Sequence, residues 1–446
     1  MVKTFVGGSV VTTDGVVEAH VVVDAGRVVA LTNDPPQGEH VDVDGLLLLP
    51  GMVDTHVHLM DPGPTEREDF PTGTSAAAAR GATTIVEHTH GHPVTDVGTL
   101  DEKIAHLEGR SNVDFGLAAH VWPDKIPDLA SLWSSGVTFF KIFTCTTHGV
   151  PALDAARLLA AFEAIASFDG RTLVHCEDES LTETAEQILR SQGRSDPGIL
   201  TKWRSREAEL VAVASAAVLA EATGVKATMA HVSSGDVIDV IESARSRGAD
   251  IAAEACPQYF ALDEDEVLEH GALRKFTPPA RVRSEADRER MWAAVRSGAF
   301  SHFSTDHAPS TRAQKSDGDF WAAPFGLPGI DTTFPFLIDA ALTGRIGLSD
   351  VAHLASAAPA ERYGLAPAKG AIRPGSDADI VLVDPHGSWQ VSDKDVLSKA
   401  GWSPFAGRTF AGRIVATYLR GEEIARDGVP RDGRTGSFIP GPGSGR

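Results

Sequence analysis

Cysteine is scarce in this chain: Cys145, Cys176 and Cys256 are the only three in 446 residues. An odd, sparse set builds no disulfide framework, so the thiols are expected to be packing residues in a reducing compartment. Long apolar runs are missing too, and none approaches the roughly 18 to 20 residues of a membrane span. The opening stretch, Met1 to Thr13, lacks the apolar core and cleavage site of a secretory signal, which makes a cytoplasmic location the expectation. Positive charge is short: 40 Lys and Arg stand against 61 Asp and Glu, a net charge of −21. That balance argues against nucleic acid or an anionic membrane as partner. No short repeat and no low-complexity block interrupts the chain.

What is present is an ordinary globular composition, 42% hydrophobic and 23% charged, in a chain long enough to bury a large core. Residues 1–50 alternate short β-rich runs with turns: Ser9 to Thr12, then Asp14-Gly15, then His20 to Val23, then Gly26. The same grammar returns near Ala378 to Val383 and Gly412 to Leu419. The expected organisation is a small β-sandwich built from both termini, 1–50 with 367–435, around a catalytic domain over 51–366. The Gly/Pro/Ser-rich end, 436–446, reads as a loose tail.

Between the termini, apolar runs at 51–58, 82–89, 113–121, 137–143, 171–177, 226–233, 249–255 and 300–306 alternate with helical patterns such as 151–167, 204–223 and 286–297. Alternation of this kind predicts an α/β fold with a parallel sheet, and eight such units predict a TIM (β/α)8 barrel. Polar residues cluster at the ends of these runs. His56 and His58, spaced i, i+2, point the same way on a strand and make half of a plausible metal site, with two satisfied polar residues as the plain alternative. His175, His231 and Asp306 stand at later run ends, and Lys141 lies inside an apolar run. A buried lysine is driven toward the neutral amine, which can take up carbon dioxide as a carbamate; pairing with a barrel carboxylate is the alternative.

These residues sit in segments that resemble the cyclic amidohydrolases: DTHVHLMDPG, FFKIF, LVHCED, AHVSS, EACPQYF, STDHAP and SPFAGRT, in order along nearly the whole chain. The resemblance is to the group containing allantoinase, hydantoinase/dihydropyrimidinase and dihydroorotase, with allantoinase the nearest overall. It implies two divalent metal ions, usually zinc. His56, His58 and Asp306 would hold one, His175 and His231 the other, with N-carboxylated Lys141 and a hydroxide bridging them. It implies Asp306 as general acid/base, a small cyclic amide as substrate, and a homodimer or homotetramer. It also places Met60, His90, Thr146, Gln258 and Gly326 at substrate-contacting positions.

Several of those positions depart from the family. Met60 and His90 stand where dihydroorotases carry a carboxylate-gripping arginine and asparagine, and Thr146 stands where hydantoinases carry a tyrosine. Allantoinases usually have an Asn-containing segment at 88–92 and histidine at Gln258. A hydantoinase-like or cyclic-imide or lactam hydrolase is therefore the alternative activity. A non-catalytic scaffold is opposed by the filled ligand positions, and a mononuclear deaminase by Lys141. His88, His90 and His92 read as pocket-lining residues rather than as another metal site.

Overall fold

The computed structural model describes residues 2–445. Nine short strands carry the central architecture: β1 (Met52–Val57), β2 (Ala82–Glu87), β3 (Asp114–Leu117), β4 (Ala119–His120), β5 (Phe140–Phe143), β6 (Arg171–His175), β7 (Lys226–Met229), β8 (Ile251–Ala255) and β9 (His302–Phe303). All adjacent pairs run parallel, with β1, β2 and β3 in one sheet and β4 to β9 in sequence order in another. Every residue of β1, β2, β3, β5 and β8 is buried. Parallel strands covered on both faces read as unbroken apolar runs, which is why these segments stood out in the sequence.

The helices that follow are capped by their own sequence. Asp154 accepts from the Arg157 N–H to start Ala155–Ser167, and Ser205 accepts from Ala208 to start Arg206–Thr223. Gly224, at φ 70°, then ends the longer helix in the left-handed conformation that costs glycine nothing.

Two of the expected strands differ. The run 113–121 breaks at Ala118 into β3 and β4, and the run 300–306 is ladder only at His302–Phe303. Beyond β9 the backbone is diverted by a side chain: the Thr305 N–H donates to Asp54 Oδ1 at 3.0 Å and its hydroxyl to Asp54 Oδ2 at 2.7 Å. The two sheets also meet at their edges. Val57 forms a parallel bridge with His307, and the His58 N–H donates to the His307 carbonyl at 2.8 Å. No helix among the described residues is long and apolar enough to cross a membrane.

Both termini build the flanking β structure. Leu47–Pro50 pairs antiparallel with Ile380–Gln390 on one side and parallel with Ser9–Thr12 on the other, within a seven-stranded sheet. A four-stranded sheet of Lys3–Val6, His20–Asp24, Arg27–Thr32 and Glu39–Asp42 shares an apolar core with it, made by Phe5, Val21, Leu48, Ile380 and Tyr418.

The C-terminal tail is not loose. Phe438 bridges Phe115 in parallel, the Ile439 N–H donates to the Phe115 carbonyl at 2.7 Å, and Gly441 N–H to the Gly136 carbonyl at 2.8 Å. Its glycines permit this closeness: a Cβ on Gly441 would lie 2.0 Å from the Val137 carbonyl oxygen, and one on Gly436 would lie 1.9 Å from that of Val113. The Gly/Pro-rich composition is thus a packing requirement. Ending the chain after Arg434 should lower the melting temperature by several degrees, about 1–3 kcal/mol, because the Phe115 backbone loses its partners. An unchanged melt would restore the loose-tail reading.

Candidate active site

The chemistry-bearing residues collect where the central strands end. β1 supplies His56, and His58 lies one residue past the strand's end at Val57; β5 supplies Lys141; β6 ends on His175; His231 follows β7 and Asp306 follows β9. All six line one cavity. Asp306 Oδ1 lies 3.2 Å from His56 Nε2 and 3.7 Å from His58 Nε2, and Lys141 Nζ lies 3.2 Å from His56 Nε2. Across the cavity, His175 Nδ1 and His231 Nε2 are 2.9 Å apart. Two of these residues, His231 at φ 38° and Asp306 at φ 49°, adopt a left-handed backbone that non-glycine residues rarely take. Such conformations concentrate where a structure over-determines the direction of a side chain.

A second layer orients the rings. The His58 Nδ1–H donates to the His88 carbonyl at 2.9 Å, which turns Nε2 toward Asp306. Glu254 Oε2 takes His56 Nδ1 at 2.8 Å and the His231 backbone N–H at 2.8 Å, positioning two rings at once. Glu177 Oε2 takes His175 Nε2 at 2.8 Å, leaving Nδ1 toward the cavity. Ring nitrogens held by carboxylates or carbonyls on one side are the usual preparation of metal-ligating histidines.

Burial governs the electrostatics. It pushes the Lys141 ammonium down to about 8, so a neutral amine is accessible near physiological pH. It also holds His56, His88, His90, His148 and His231 neutral, well below the ordinary imidazole range. For Asp306, burial works to raise the carboxyl, but the His56 and His58 rings outweigh it and the carboxylate stays ionised. Burial would likewise raise Glu177; Arg204 at 3.2 Å, His175 and Thr277 at 2.6 Å overcome it and hold the group at about 2.

Of the five expected substrate contacts, His90 and Gly326 line the cavity and Met60, Thr146 and Gln258 do not. Met60 is buried, turned at φ 56° with its N–H on Thr89 Oγ1 at 2.7 Å. Thr146 is exposed; its N–H goes to Glu179 and its hydroxyl oxygen accepts from Ala152, which turns it toward a neighbouring groove. Gln258 is buried at the start of the short helix Gln258–Ala261. His88 and His90 pack on His58, with ring centroids 4.5 and 4.2 Å away, and a ring nitrogen of His88 comes within 4.8 Å of ones on His56 and His58. All three cysteines are buried free thiols.

Sequence reading missed Glu254, Glu177, His120 and His148. Glu254 carried a signal comparable to that of Lys141: a charged residue within an otherwise apolar, fully buried strand. Glu177 follows His175 at the i, i+2 spacing.

The profile of the amidohydrolase family matches residues 47–424. The chain belongs to the amidohydrolase family. An allantoinase of Rubrobacter xylanophilus is 35% identical to this amidohydrolase over 443 residues, 97% of this chain and 96% of that one. A dihydroorotase of Halobacterium salinarum is 35% identical over 362 residues, 81% of this chain and 82% of its own. Among solved structures, L-hydantoinase (dihydropyrimidinase) from Arthrobacter aurescens matches with a TM-score of 0.93 and 28% identity, over 98% of this chain and 99% of that chain. This amidohydrolase is an enzyme of the cyclic amidohydrolase group.

Proposed function

We propose that this amidohydrolase hydrolyses the C–N bond of a cyclic amide or ureide, with an allantoin-like ring as the leading substrate. The observation that carries the reading is the convergence of six donor side chains, three of whose rings are pre-oriented by Glu254, Glu177 and the His88 carbonyl. The two parallel sheets are read as one closed barrel, joined through Val57 and His307. Allantoinase leads because relatives so named match over nearly the full length. The hydantoinase reading stands second, on the structural likeness.

The donor set suits two divalent cations. His175 Nδ1 and His231 Nε2 face each other at 2.9 Å, and the His231 Nδ1 is buried without a protein partner. His56, His58 and Asp306 would hold one ion, His175 and His231 the other, with Lys141 between them. Such ions would supply an acidified water and a polarised carbonyl.

Lys141 would serve between these ions as a carbamate: the neutral amine adds to carbon dioxide, the new N–C bond forms, and a proton leaves to solvent. Asp306 accepts a proton from the attacking water and delivers it to the ring nitrogen as the C–N bond breaks. Its anionic state and its place beside both β1 histidines suit that exchange. A cytoplasmic homodimer or homotetramer completes the proposal.

Metal content measured beside ring opening of allantoin, hydantoin, dihydrouracil, dihydroorotate and simple cyclic imides tests it. Two metals with clear allantoin turnover is the expected result. Two metals with turnover only of another ring would move the assignment to the hydantoinase or imide reading. A metal-free chain inert on every ring would overturn the hydrolase reading.

A further inference from the structure

One wall of the cavity belongs to histidines that hold no place in the ligand set. His90 and His148 both line it and stack on each other, ring centroids 4.5 Å apart and 26° from parallel. His148 packs on Phe325 at 5.8 Å, and His120 packs behind His90 at 5.6 Å. Much of the hydrogen-bonding capacity of this wall is unspent. His90 Nδ1 is buried without a partner, and so are both ring nitrogens of His120. His148 uses only Nδ1, against the Thr147 hydroxyl at 3.0 Å. With that hydroxyl donating, Nε2–H is left for a ligand. His148 also adopts the left-handed backbone, at φ 54°, shared by His231 and Asp306 in the same cavity.

The cations around the cavity are committed elsewhere. Lys275 Nζ donates to the carbonyls of Phe320, Trp321 and Ala323, and Lys315 Nζ to those of Lys275, Pro324 and Gly326. Arg204 Nη1 donates to Glu177 and Arg67 Nε to the Pro309 carbonyl, and neither side chain lines the cavity. Among the residues lining the cavity, Lys141 is the only lysine or arginine. A carboxylate carried on the substrate ring would touch no lysine or arginine on the His90–His148 side of the lining, and burying a charge without a direct partner is strongly unfavourable.

We infer that the stacked His90–His148 pair is the specificity element of this site, and that it selects an uncharged cyclic amide over one bearing a carboxylate. The imidazole N–H of His148 takes a carbonyl oxygen of the ring, while the stacked faces and Phe325 cover its plane. The inference rests on the ring-opening reading above, and binding separates the two.

Dihydrouracil and dihydroorotate, the same ring without and with a carboxylate, are the probes for the metal-loaded enzyme. Wild type should favour dihydrouracil in kcat/KM by about 100-fold or more. His148→Phe keeps the stack and removes the donor. It should lower kcat/KM for dihydrouracil about 10- to 100-fold with metal content unchanged, and His148→Gln, which restores an N–H, should recover most of it.

Calorimetric binding of both rings accompanies the kinetics. A chain that binds dihydrouracil through His148 but opens no ring would sustain this inference and retire the hydrolase reading. Turnover or binding of the two rings within about threefold, a His148→Phe variant equal to wild type, or no binding of either ring would overturn it.

Discussion

Asp306→Asn should lose about three orders of magnitude or more in kcat while keeping its fold. The substitution is nearly isosteric, and asparagine is among the few residues that tolerate the φ 49° backbone at this position. The amide oxygen can still approach His56 Nε2 and His58 Nε2, which lie 3.2 and 3.7 Å from Oδ1. What the amide cannot do is hold a proton between water and the leaving nitrogen. General acid–base groups contribute about 10²- to 10⁴-fold, and the lost charge also weakens the electrostatics of the cavity. The measurement is kcat on the best ring of the panel, beside metal content and a melting curve. A variant within tenfold of wild type, carrying its metals, would remove Asp306 from the proton-transfer role.

Lys141→Ala should be as severe for a different reason. The lysine is 1% exposed, and its Nζ lies 3.2 Å from the unsaturated nitrogen of His56. If Lys141 bridges as a carbamate, alanine removes an anionic ligand, and both metal content and activity fall together, activity by about 10³-fold or more. The cavity left behind has the shape of the missing arm, so formate, acetate or propionate should restore part of both. If the lysine serves only as an ammonium paired with Glu254 and Asp306, added carboxylates would do nothing or inhibit. Retained activity without rescue would sink the carbamate. Circular dichroism of the variant separates loss of ligand from loss of fold.

The parts of this molecule that were legible in sequence share one property: their meaning is local. Apolar runs show a strand because both faces of a parallel strand are buried, and His56 and His58 reveal a common face because the strand period is two. Lys141 was conspicuous for its place in β5. Glu254 was equally placed in β8, but its purpose depends on His56, 198 residues away, and no local pattern carries that partnership.

The loop residues failed for a related reason. Thr146 and His148 lie two apart on the segment after β5, and which of them reaches the cavity is decided by the left-handed turn at His148 and by Glu179. The tail misled because glycine and proline signal looseness in isolation; here glycine is required by how closely Val113 and Val137 approach.

The pairing of Leu47–Pro50 with Ile380–Gln390 has a consequence for the order of events during synthesis. Leu48 faces Leu382, so the strand that leads into His56 waits for a partner translated more than 300 residues later. At about 5–20 residues per second, that interval is roughly 20 to 70 s. During it, Leu47, Leu48 and Leu49 emerge from the ribosome with one edge unclaimed, an exposed template for intermolecular strand pairing. The later segment through Phe438 and Gly441 then fastens onto β3 and the turn before β5. The nascent chain therefore has most need of a holding chaperone before Ile380–Gln390 appears.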